Sequence, residues 1–378
     1  YKRQQLMNPF DPDMASMIHN EMRKHGIKLV LGYTVEGFKE KDNGVEVLLK
    51  DNPSLQADMV VLAIGVTPDT VLAKEAGLEL GIKESIVVND RMETSVPDIY
   101  AAGDAVQVKH YVTGNDALIS LAGPANKQGR IIADNICGGD SRYLGSQGSS
   151  VIKVFDMTAA TTGINETNAK KSGLEVDTVI LSPMSHAGYY PGGKVMTMKV
   201  VFEKETYRLL GAQIIGYEGV DKRIDVLATA IHAGLKATQL KDLDLAYAPP
   251  YSSAKDPVNM AGFMIDNIAK GTLKQWHLED MDKISRDKSV VLLDVRTVGE
   301  FNRGHMDGFK NIPVDELRER INEIEKGKPV YLICQSGLRS YIASRILEGN
   351  GYETYNFSGG FRFYDAVVND RILIERSY

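Results

Sequence analysis

The sequence has 378 residues, of which 43% are hydrophobic and 25% are charged, and its formal net charge is −6. This length exceeds one ordinary hydrophobic core and predicts two or three domains. The acidic balance argues against a nucleic-acid partner, and the absence of a long apolar run argues against a membrane helix. Two cysteines in so long a chain form no disulfide scaffold, so we expect a reducing, cytoplasmic compartment. We predict no metal site.

Residues 1–75 have the pattern of part of an α/β unit. Asp11 and Pro12 predict a helix start with the proline at the first helical position, and Gly26 predicts its end. Short strands are predicted over residues 27–31, 45–49 and 58–64. The last strand leads into a turn at Gly65, where the backbone could approach a bound nucleotide. Because the sequence starts without Met and inside such a unit, we expect it to be a fragment of a longer protein.

Residues 76–148 carry a more specific pattern. A strand is predicted over residues 86–90, and a second strand over residues 99–105 ends in Gly103 and Asp104. A helix is then predicted to run to about residue 136, with Pro124 at its first position and free N–H groups near Ala125. An aspartate at the end of a strand is also an ordinary turn residue.

The stretch from Thr94 to Ala105 resembles the second flavin motif of the pyridine nucleotide-disulfide oxidoreductases. The resemblance implies that Gly103 lets the backbone approach FAD, that Asp104 accepts hydrogen bonds from its ribityl hydroxyls, and that the Pro124–Ala125 helix end faces the flavin. Residues 1–75 then correspond to part of an NAD(P)H-binding domain and residues 76–148 to a segment of the FAD domain. The glycine-rich fingerprints and the Ser-Phe-x-x-Cys redox segment of this family do not occur in the sequence. We therefore expect the chain alone to bind FAD weakly.

Residues 149–270 alternate in the manner of antiparallel strands. Three strands and a helix are predicted, over residues 151–155, 196–202, 209–216 and 224–232. Together with Thr161–Glu166, this pattern resembles the C-terminal interface domain of the same family. The resemblance implies a homodimer.

The end of this region indicates one branch of the family. Glutathione-reductase relatives carry a His-Pro pair here, whereas residues 245–259 contain no histidine. The region resembles the single-cysteine branch, which includes coenzyme A-disulfide reductases, persulfide reductases, NADH oxidases and NADH peroxidases. In the coenzyme A enzymes tyrosine hydroxyls supply acid functions, and the resemblance assigns this role to Tyr189 and Tyr247, with Tyr190 and Tyr251 as second choices. Packing at a dimer interface is the alternative role for these tyrosines.

Residues 276–378 follow a polar connector and contain the most informative cysteine. A buried strand is predicted to end at Cys334, with a helix over residues 340–347 after a short loop. A thiolate at this place faces the dipole of a helix N-terminus, and Arg339 offers a planar fork to an anionic donor. The residues between them are Gln335, Ser336, Gly337 and Leu338. This loop resembles the active loop of rhodanese sulfurtransferases and is one residue shorter than the loop of tyrosine-type phosphatases.

A second predicted strand, over residues 290–296, ends in Asp294 and Arg296. Rhodaneses place a carboxylate and a guanidinium near the loop at these positions. We interpret Asp294 as a residue that orients the loop, with a surface ion pair as the alternative. His305 is interpreted as a structural turn residue, and Cys137 as structural because no His, Arg or partner Cys stands near it in the sequence.

The predicted fold class is α/β, with partial Rossmann-like FAD and NAD(P)H domains, an α+β interface domain and an α/β rhodanese domain. The resemblance implies FAD- and NAD(P)H-dependent reduction of coenzyme A disulfide, persulfide or polysulfide, coupled to sulfur transfer through a persulfide on Cys334. Its partners would be small-molecule thiols, persulfides and disulfides. The alternatives are sulfur transfer alone, an NADH oxidase or peroxidase, a phosphatase, and a binding module without activity.

Overall fold

The computed structural model describes residues 5–375, which form two compact units. One unit is Gly32–Ser150, and the other joins residues 5–31 to residues 151–375. The first helix, α1 (Pro12–Lys24), therefore belongs to the second unit although it precedes the first unit in the sequence. Within residues 5–375, no helix has both the length and the apolar character needed to cross a membrane.

Helix α1 begins where the sequence predicts. Asp11 is extended at the N-cap, Pro12 is the first helical residue, and Gly26 follows the helix with a φ of 81°. The carboxylate of Asp11 makes no cap to its own helix; it accepts hydrogen bonds from Gln213 and Thr167 instead. The start of α1 is thereby attached to residues far along the chain.

The unit Gly32–Ser150 contains two three-stranded sheets and two helices. Its elements are β1 (Val35–Lys41), β2 (Gly44–Leu49), β3 (Asn52–Ala57), α2 (Val71–Glu75), β4 (Ile86–Val87), β5 (Val106–Lys109), β6 (Asp116–Ala117) and α3 (Ala122–Ile136). Strands β1 to β3 form an antiparallel meander, while β5 pairs in parallel with β4 and antiparallel with β6. The predicted strand over residues 45–49 is confirmed as β2.

Three other strand predictions near this unit are wrong. Residues 27–31 and 58–64 have no regular structure, and the strand expected over residues 99–105 is reduced to one bridge at Tyr100 and a 3-10 turn. The apolar side chains Val61 and Ile64 are 78% and 77% exposed. A buried strand of a parallel sheet needs hydrogen-bonding neighbours and a covering layer. Within the described residues, the 58–64 segment has neither.

The region after residue 149 is built around one five-stranded sheet with the strand order β7-β8-β11-β10-β9, in which β8, β11, β10 and β9 pair antiparallel. Its elements are β7 (Ser150–Val154), β8 (Met157–Gly163), α4 (Glu166–Lys171), β9 (Val176–Leu181), β10 (Met196–Glu203), β11 (Leu209–Gly216), α5 (Val220–His232) and α6 (Pro257–Ala269). The three predicted strands and the predicted helix all form. Every residue of β11 is buried, so both faces of the sheet are covered there and the expected one-sided burial does not hold.

The remaining described residues form an all-parallel five-stranded sheet with order β12-β16-β15-β13-β14. Its elements are β12 (Gln275–Trp276), α7 (Met281–Ile284), β13 (Val291–Asp294), α8 (Val298–Arg303), β14 (Lys310–Asn311), β15 (Val330–Ile333), α9 (Leu338–Glu348), β16 (Thr354–Phe357) and α10 (Gly360–Glu375). The buried Trp276 ring packs against Phe357 and Phe309 on one side of this sheet. The predicted strands at Asp294 and Cys334 and the helix after Cys334 are confirmed.

Helix α1 packs against α10, the last helix of the described residues. His19 Nδ1 lies 2.9 Å from Asp370 Oδ2, Arg23 makes an ion pair with the same carboxylate, and Asn20 donates to the Ala366 carbonyl at 2.9 Å. His19 and Asp370 are both buried. The two ends of the second unit are therefore joined by polar contacts inside the structure.

A buried lysine holds the other end of α1. Lys199 Nζ lies 2.7 Å from Asp13, 2.7 Å from Glu166 and 3.2 Å from Asp11. Burial opposes the charge of Lys199, but the three carboxylates outweigh burial and raise its pKa. The cluster keeps α1 and α4 against β10.

Candidate active site

Cys334 follows the last residue of β15, at the carboxyl end of the parallel sheet. Its Sγ is buried and accepts hydrogen bonds from the Gly337 N–H at 3.1 Å and from the Ser340 hydroxyl at 3.2 Å. Gly337 caps α9 with a φ of 97°, a conformation that glycine adopts without strain. The loop thus directs two donors at one sulfur atom.

The rest of the loop is fixed by the start of α10. The Phe361 N–H donates to the Cys334 carbonyl at 2.8 Å, and the Arg362 N–H donates to the Gln335 carbonyl at 3.2 Å. A Cβ on Gly360 would lie 2.7 Å from the Ser336 nitrogen, so the two backbones touch. Leu338 is exposed at the first position of α9. These contacts hold the predicted loop residues in one compact turn.

Asp294 lies beside the loop because β13 pairs in register with β15, Asp294 opposite Ile333. Its carboxylate accepts four hydrogen bonds from Arg296, one from the backbone N–H and three from the guanidinium, at 2.6 to 3.1 Å, and both side chains are buried. The alternative of a surface ion pair is therefore wrong. The Arg296 guanidinium lies over the Phe361 ring at 3.8 Å and donates to Gln335 Oε1 at 3.4 Å. Asp294 can thus orient the loop only through Arg296.

Arg339 is paired within the chain. Its two terminal nitrogens donate to the two carboxylate oxygens of Glu300, each at 2.7 Å. The hydrogen bonds from Arg339 lower the pKa of Glu300 to about 2, and donors on Thr297 contribute to the shift. The planar fork that the sequence predicts for an anionic donor is occupied by a carboxylate of the same chain.

The predicted tyrosine pair is brought together by the structure. The hydroxyls of Tyr189 and Tyr247 lie 2.8 Å apart, although 58 residues separate them in the sequence. Both rings are exposed, by 76% and 45%. The hydrogen bond with Tyr189 raises the pKa of Tyr247. The two hydroxyls thus form an exposed, hydrogen-bonded pair. Their role as proton donors stays a prediction.

Tyr247 and Tyr251 also line an open cleft of about 510 Å³, together with Glu218 and Lys222. The cleft floor includes buried Arg223, whose guanidinium donates to Asp256 and to the Ser185 carbonyl. The Tyr190 ring packs edge-on against His186, 5.6 Å between centroids. Of the two second-choice tyrosines, only Tyr251 shares the cleft with Tyr247.

The predicted flavin segment lies in the unit Gly32–Ser150. Gly103 has a φ of 83° and opens a 3-10 turn, and Asp104 in that turn is exposed. The Gly103 N–H donates to Gln128 Oε1 at 2.7 Å, which attaches the turn to α3. Gly65 also has a positive φ, 102°, with open space where a side chain would stand.

The start of α3 differs from the prediction. The helix begins at Ala122, so Pro124 is its third residue rather than its first. Proline is tolerated there because the first turn of a helix has no internal acceptors for its N–H groups. The Ala125 N–H is not free, since it donates to the Leu121 carbonyl at 3.2 Å.

Family comparisons match the whole succession of regions. A pyridine nucleotide-disulphide oxidoreductase model matches residues 1–129, and the dimerisation-domain model of the same family matches residues 149–257. A rhodanese-like domain model matches residues 277–366. The chain belongs to the pyridine nucleotide-disulphide oxidoreductase family. It carries a rhodanese-like domain in addition, and the predicted α/β fold class is confirmed.

Solved structures and curated relatives of this family give the same picture. The reduced CoADR-RHD of Bacillus anthracis is 45% identical with a TM-score of 0.94, covering 98% of this chain and 66% of that one. An NAD-dependent persulfide reductase from A. fulgidus is 39% identical with a TM-score of 0.87, covering 94% and 64%. An NAD(P)H sulfur oxidoreductase (CoA-dependent) of Pyrococcus abyssi is 36% identical over 253 residues, 67% of this chain and 56% of that protein. The chain spans between about half and two thirds of the length of these relatives.

The oxidoreductase family uses FAD and NAD(P)H, and the residues of the Gly103 turn fit one part of the flavin. A glycine at positive φ next to an exposed carboxylate lets backbone and acceptor oxygens approach a polyhydroxyl chain. Ala122 and Gly123, the first two residues of α3, are exposed as well. Within the described residues, this fit to the flavin is argued for the Gly103 turn alone.

Three contacts of the site were missed by sequence reasoning. Glu300 stands three residues after Thr297, a spacing typical of a capping box, and the structure shows that capping box. Ser340 stands one helical turn after Gly337 and therefore reaches back to Cys334. Gln128, the acceptor for Gly103, is buried on α3 and gives no local signal.

Proposed function

We propose that this protein transfers sulfane sulfur through a persulfide on Cys334. The observation that carries the proposal is the pair of donors, Gly337 N–H and Ser340 hydroxyl, aimed at a sulfur that ends a parallel strand. The thiolate attacks the sulfane sulfur of a donor such as thiosulfate, a new S–S bond forms, and sulfite leaves with the electron pair of the broken S–S bond. The two donors stabilise the negative charge of the attacking thiolate. A thiol acceptor then removes that sulfur.

The test is the intact mass of the full chain after incubation with thiosulfate or polysulfide. Wild type is expected to gain the mass of one sulfur atom, and Cys334→Ser is expected to gain none. Cys137→Ser is the matched control, because Cys137 is the other free cysteine and is exposed. The proposal is wrong if wild type takes up no sulfur from any donor, or if Cys334→Ser takes it up as wild type does.

In the whole protein we propose that this step is coupled to FAD- and NAD(P)H-dependent reduction of a coenzyme A disulfide or persulfide. FAD, when bound, supplies the passage of electrons from NAD(P)H to the substrate disulfide, and Gly103 and Asp104 would hold part of it. Tyr189 and Tyr247 would donate hydrogen bonds to a leaving thiolate, which their mutual hydrogen bond and exposure support. The family's dimerisation domain supports a homodimer in which the pair faces the other subunit, and the free thiols suit a cytoplasmic compartment.

The reductase proposal is tested in the whole protein by Tyr247→Phe. NAD(P)H oxidation by coenzyme A disulfide is expected to fall at least roughly ten-fold, because one general acid contributes about 10²–10⁴ to a rate. Thr229→Val is the control, since its hydroxyl is exposed and bonds only to the Asp225 carbonyl. Unchanged turnover in Tyr247→Phe would show that the tyrosine pair is only part of a packing surface.

A further inference from the structure

Two guanidinium groups lie beside the Cys334 loop, and each is paired with a carboxylate of the same chain. Arg296 is held by buried Asp294, and Arg339 by Glu300 through two hydrogen bonds of 2.7 Å. These four side chains sum to zero charge. A donor that enters the loop therefore meets fixed N–H and O–H groups. Each of the two guanidinium groups among these four residues already has a carboxylate partner.

The Arg339–Glu300 pair differs from the Arg296–Asp294 pair in access. The Arg296 and Asp294 side chains are 2% and 0% exposed, whereas those of Arg339 and Glu300 are 31% and 21% exposed. Arg339 is the second residue of α9, directly after the loop, and negative charge on Cys334 adds to the hydrogen bonds of Glu300 in raising the pKa of Arg339. Arg339 is thus the cation that an incoming anionic donor would meet.

Glu300 is fixed independently of Arg339. Its Oε2 accepts hydrogen bonds from the Thr297 N–H at 3.0 Å and from the Thr297 hydroxyl at 2.9 Å, as part of the capping box of α8. The carboxylate therefore stays beside the loop when Arg339 turns toward a donor. Its negative charge opposes each unit of negative charge that the donor brings.

We infer that Glu300 is a specificity-determining residue that biases the Cys334 loop toward sulfur donors of low negative charge, such as persulfides and thiosulfonates, and against dianionic thiosulfate. The inference rests on the proposed sulfur transfer at Cys334 and concerns the choice of donor for that step. The sulfur atom transferred is the same for either kind of donor. The leaving group differs: thiosulfate releases the dianion sulfite, and a thiosulfonate releases a singly charged sulfinate in which a carbon substituent replaces one oxygen.

Two sulfur donors that differ by one unit of negative charge test the effect of donor charge. Thiosulfate carries two negative charges, and methanethiosulfonate presents the same sulfane sulfur with one. The experiment measures kcat/KM for both donors with one thiol acceptor, using the full chain. In Glu300→Gln the ratio of the thiosulfate kcat/KM to the methanethiosulfonate kcat/KM is expected to rise roughly ten-fold, because the carboxylate repels each unit of donor charge and thiosulfate carries one unit more.

Two variants separate charge from structure. Glutamine is accepted at the third position of a capping box, so Glu300→Gln keeps the start of α8 intact. Glu300→Asp keeps the charge but shortens the reach to Arg339, and its donor ratio is expected to stay near that of wild type. Glu316→Gln removes an exposed carboxylate that pairs with Arg320, and no change is expected there.

The outcomes distinguish this inference from the function on which it rests. If neither donor adds sulfur to Cys334 in wild type, the proposed sulfur transfer is wrong. If both donors load wild type and the ratio in Glu300→Gln is unchanged, or shifts toward methanethiosulfonate, Glu300 only supports the helix and the inference is overturned. A rise of similar size in Glu300→Asp would also overturn it, since geometry and not charge would then decide.

Discussion

The Cys334 loop and the Tyr189–Tyr247 pair are both candidate reaction centres, but they are built in opposite ways. The cysteine is buried, and its sulfur accepts hydrogen bonds from two donors of the chain. The neighbouring Arg296–Asp294 ion pair is buried as well. The tyrosines lie on the surface, and each hydroxyl has the other as its partner. The loop contains the groups needed for its proposed step, whereas the pair presents hydroxyls that a further surface must complete. The two sites should therefore respond differently to substitution.

The largest effect is expected from Asp294→Asn. The substitution leaves the Arg296 guanidinium buried without its charge partner, which costs about 3–5 kcal/mol in comparable pairs. Unfolding by urea should show a loss of stability of this order. Glu323→Gln, which weakens the exposed pair with Arg320, should change stability by no more than about 0.5 kcal/mol. Equal effects would mean that the buried pair contributes no more than a surface pair.

The next largest effect is expected at Gly360. An alanine there has a left-handed backbone, which costs about 1–2 kcal/mol, and its Cβ would displace the Ser336 backbone as well. Gly351→Ala is the matched control, because Gly351 has a similar φ of 82° with nothing within 4 Å. Both variants should lose stability, but only Gly360→Ala should lose sulfur uptake at Cys334. Normal uptake in Gly360→Ala would show that the loop tolerates movement.

A smaller, pH-dependent effect is expected from Glu300. Its pKa in the folded chain is about 2, below its ordinary value of 4.5, so the ionised form is the one that folding favours. Its contribution is complete above pH 4.5 and is lost as the pH falls toward 2. The stability difference between wild type and Glu300→Gln should thus be constant near neutral pH, at most about 1 kcal/mol for a partly solvated pair, and should shrink in acid. A difference that grows in acid would contradict the assignment.

The smallest effect is expected at the tyrosine pair. In Tyr189→Phe the pKa of Tyr247 should fall toward its ordinary value, because the hydrogen bond that raises it is gone. Titration of ring-labelled tyrosine by NMR, with Tyr247→Phe to assign the signal, measures the shift. Stability should change by less than about 0.5 kcal/mol, since both rings are exposed. An unchanged titration would mean that the two hydroxyls do not bond in solution.

The sequence predicted well where the chemistry is local. The strand, the glycine and the helix around Cys334 follow one another between Val330 and Glu348, so turn and helix signals sufficed. The placement of Asp294 near this loop came from the rhodanese resemblance, and the parallel pairing of β13 with β15 accounts for it. The Tyr189–Tyr247 contact came from resemblance alone, since no local pattern joins residues 58 positions apart.

Prediction failed where neighbours decide the structure. The apolar run at residues 58–64 has strand composition but no partner strand among the described residues, so it remains extended and exposed. The pairing of Arg339 with Glu300 was not foreseen, because the fork geometry of arginine fits a carboxylate of the chain as well as a donor. The burial of both faces of β11 depends on layers that the alternation of one strand does not reveal.

The contact between α1 and α10 has a consequence for the history of this gene. A chain that starts at residue 276 would lack His19 and Arg23, so Asp370 would lose both of its charged partners. The oxidoreductase portion would in turn expose the apolar side chains of α1, including Met14 and Ile18. Because the two regions share this packing, we expect that deleting either one lowers the stability of the other, which would favour keeping the two joined in one gene.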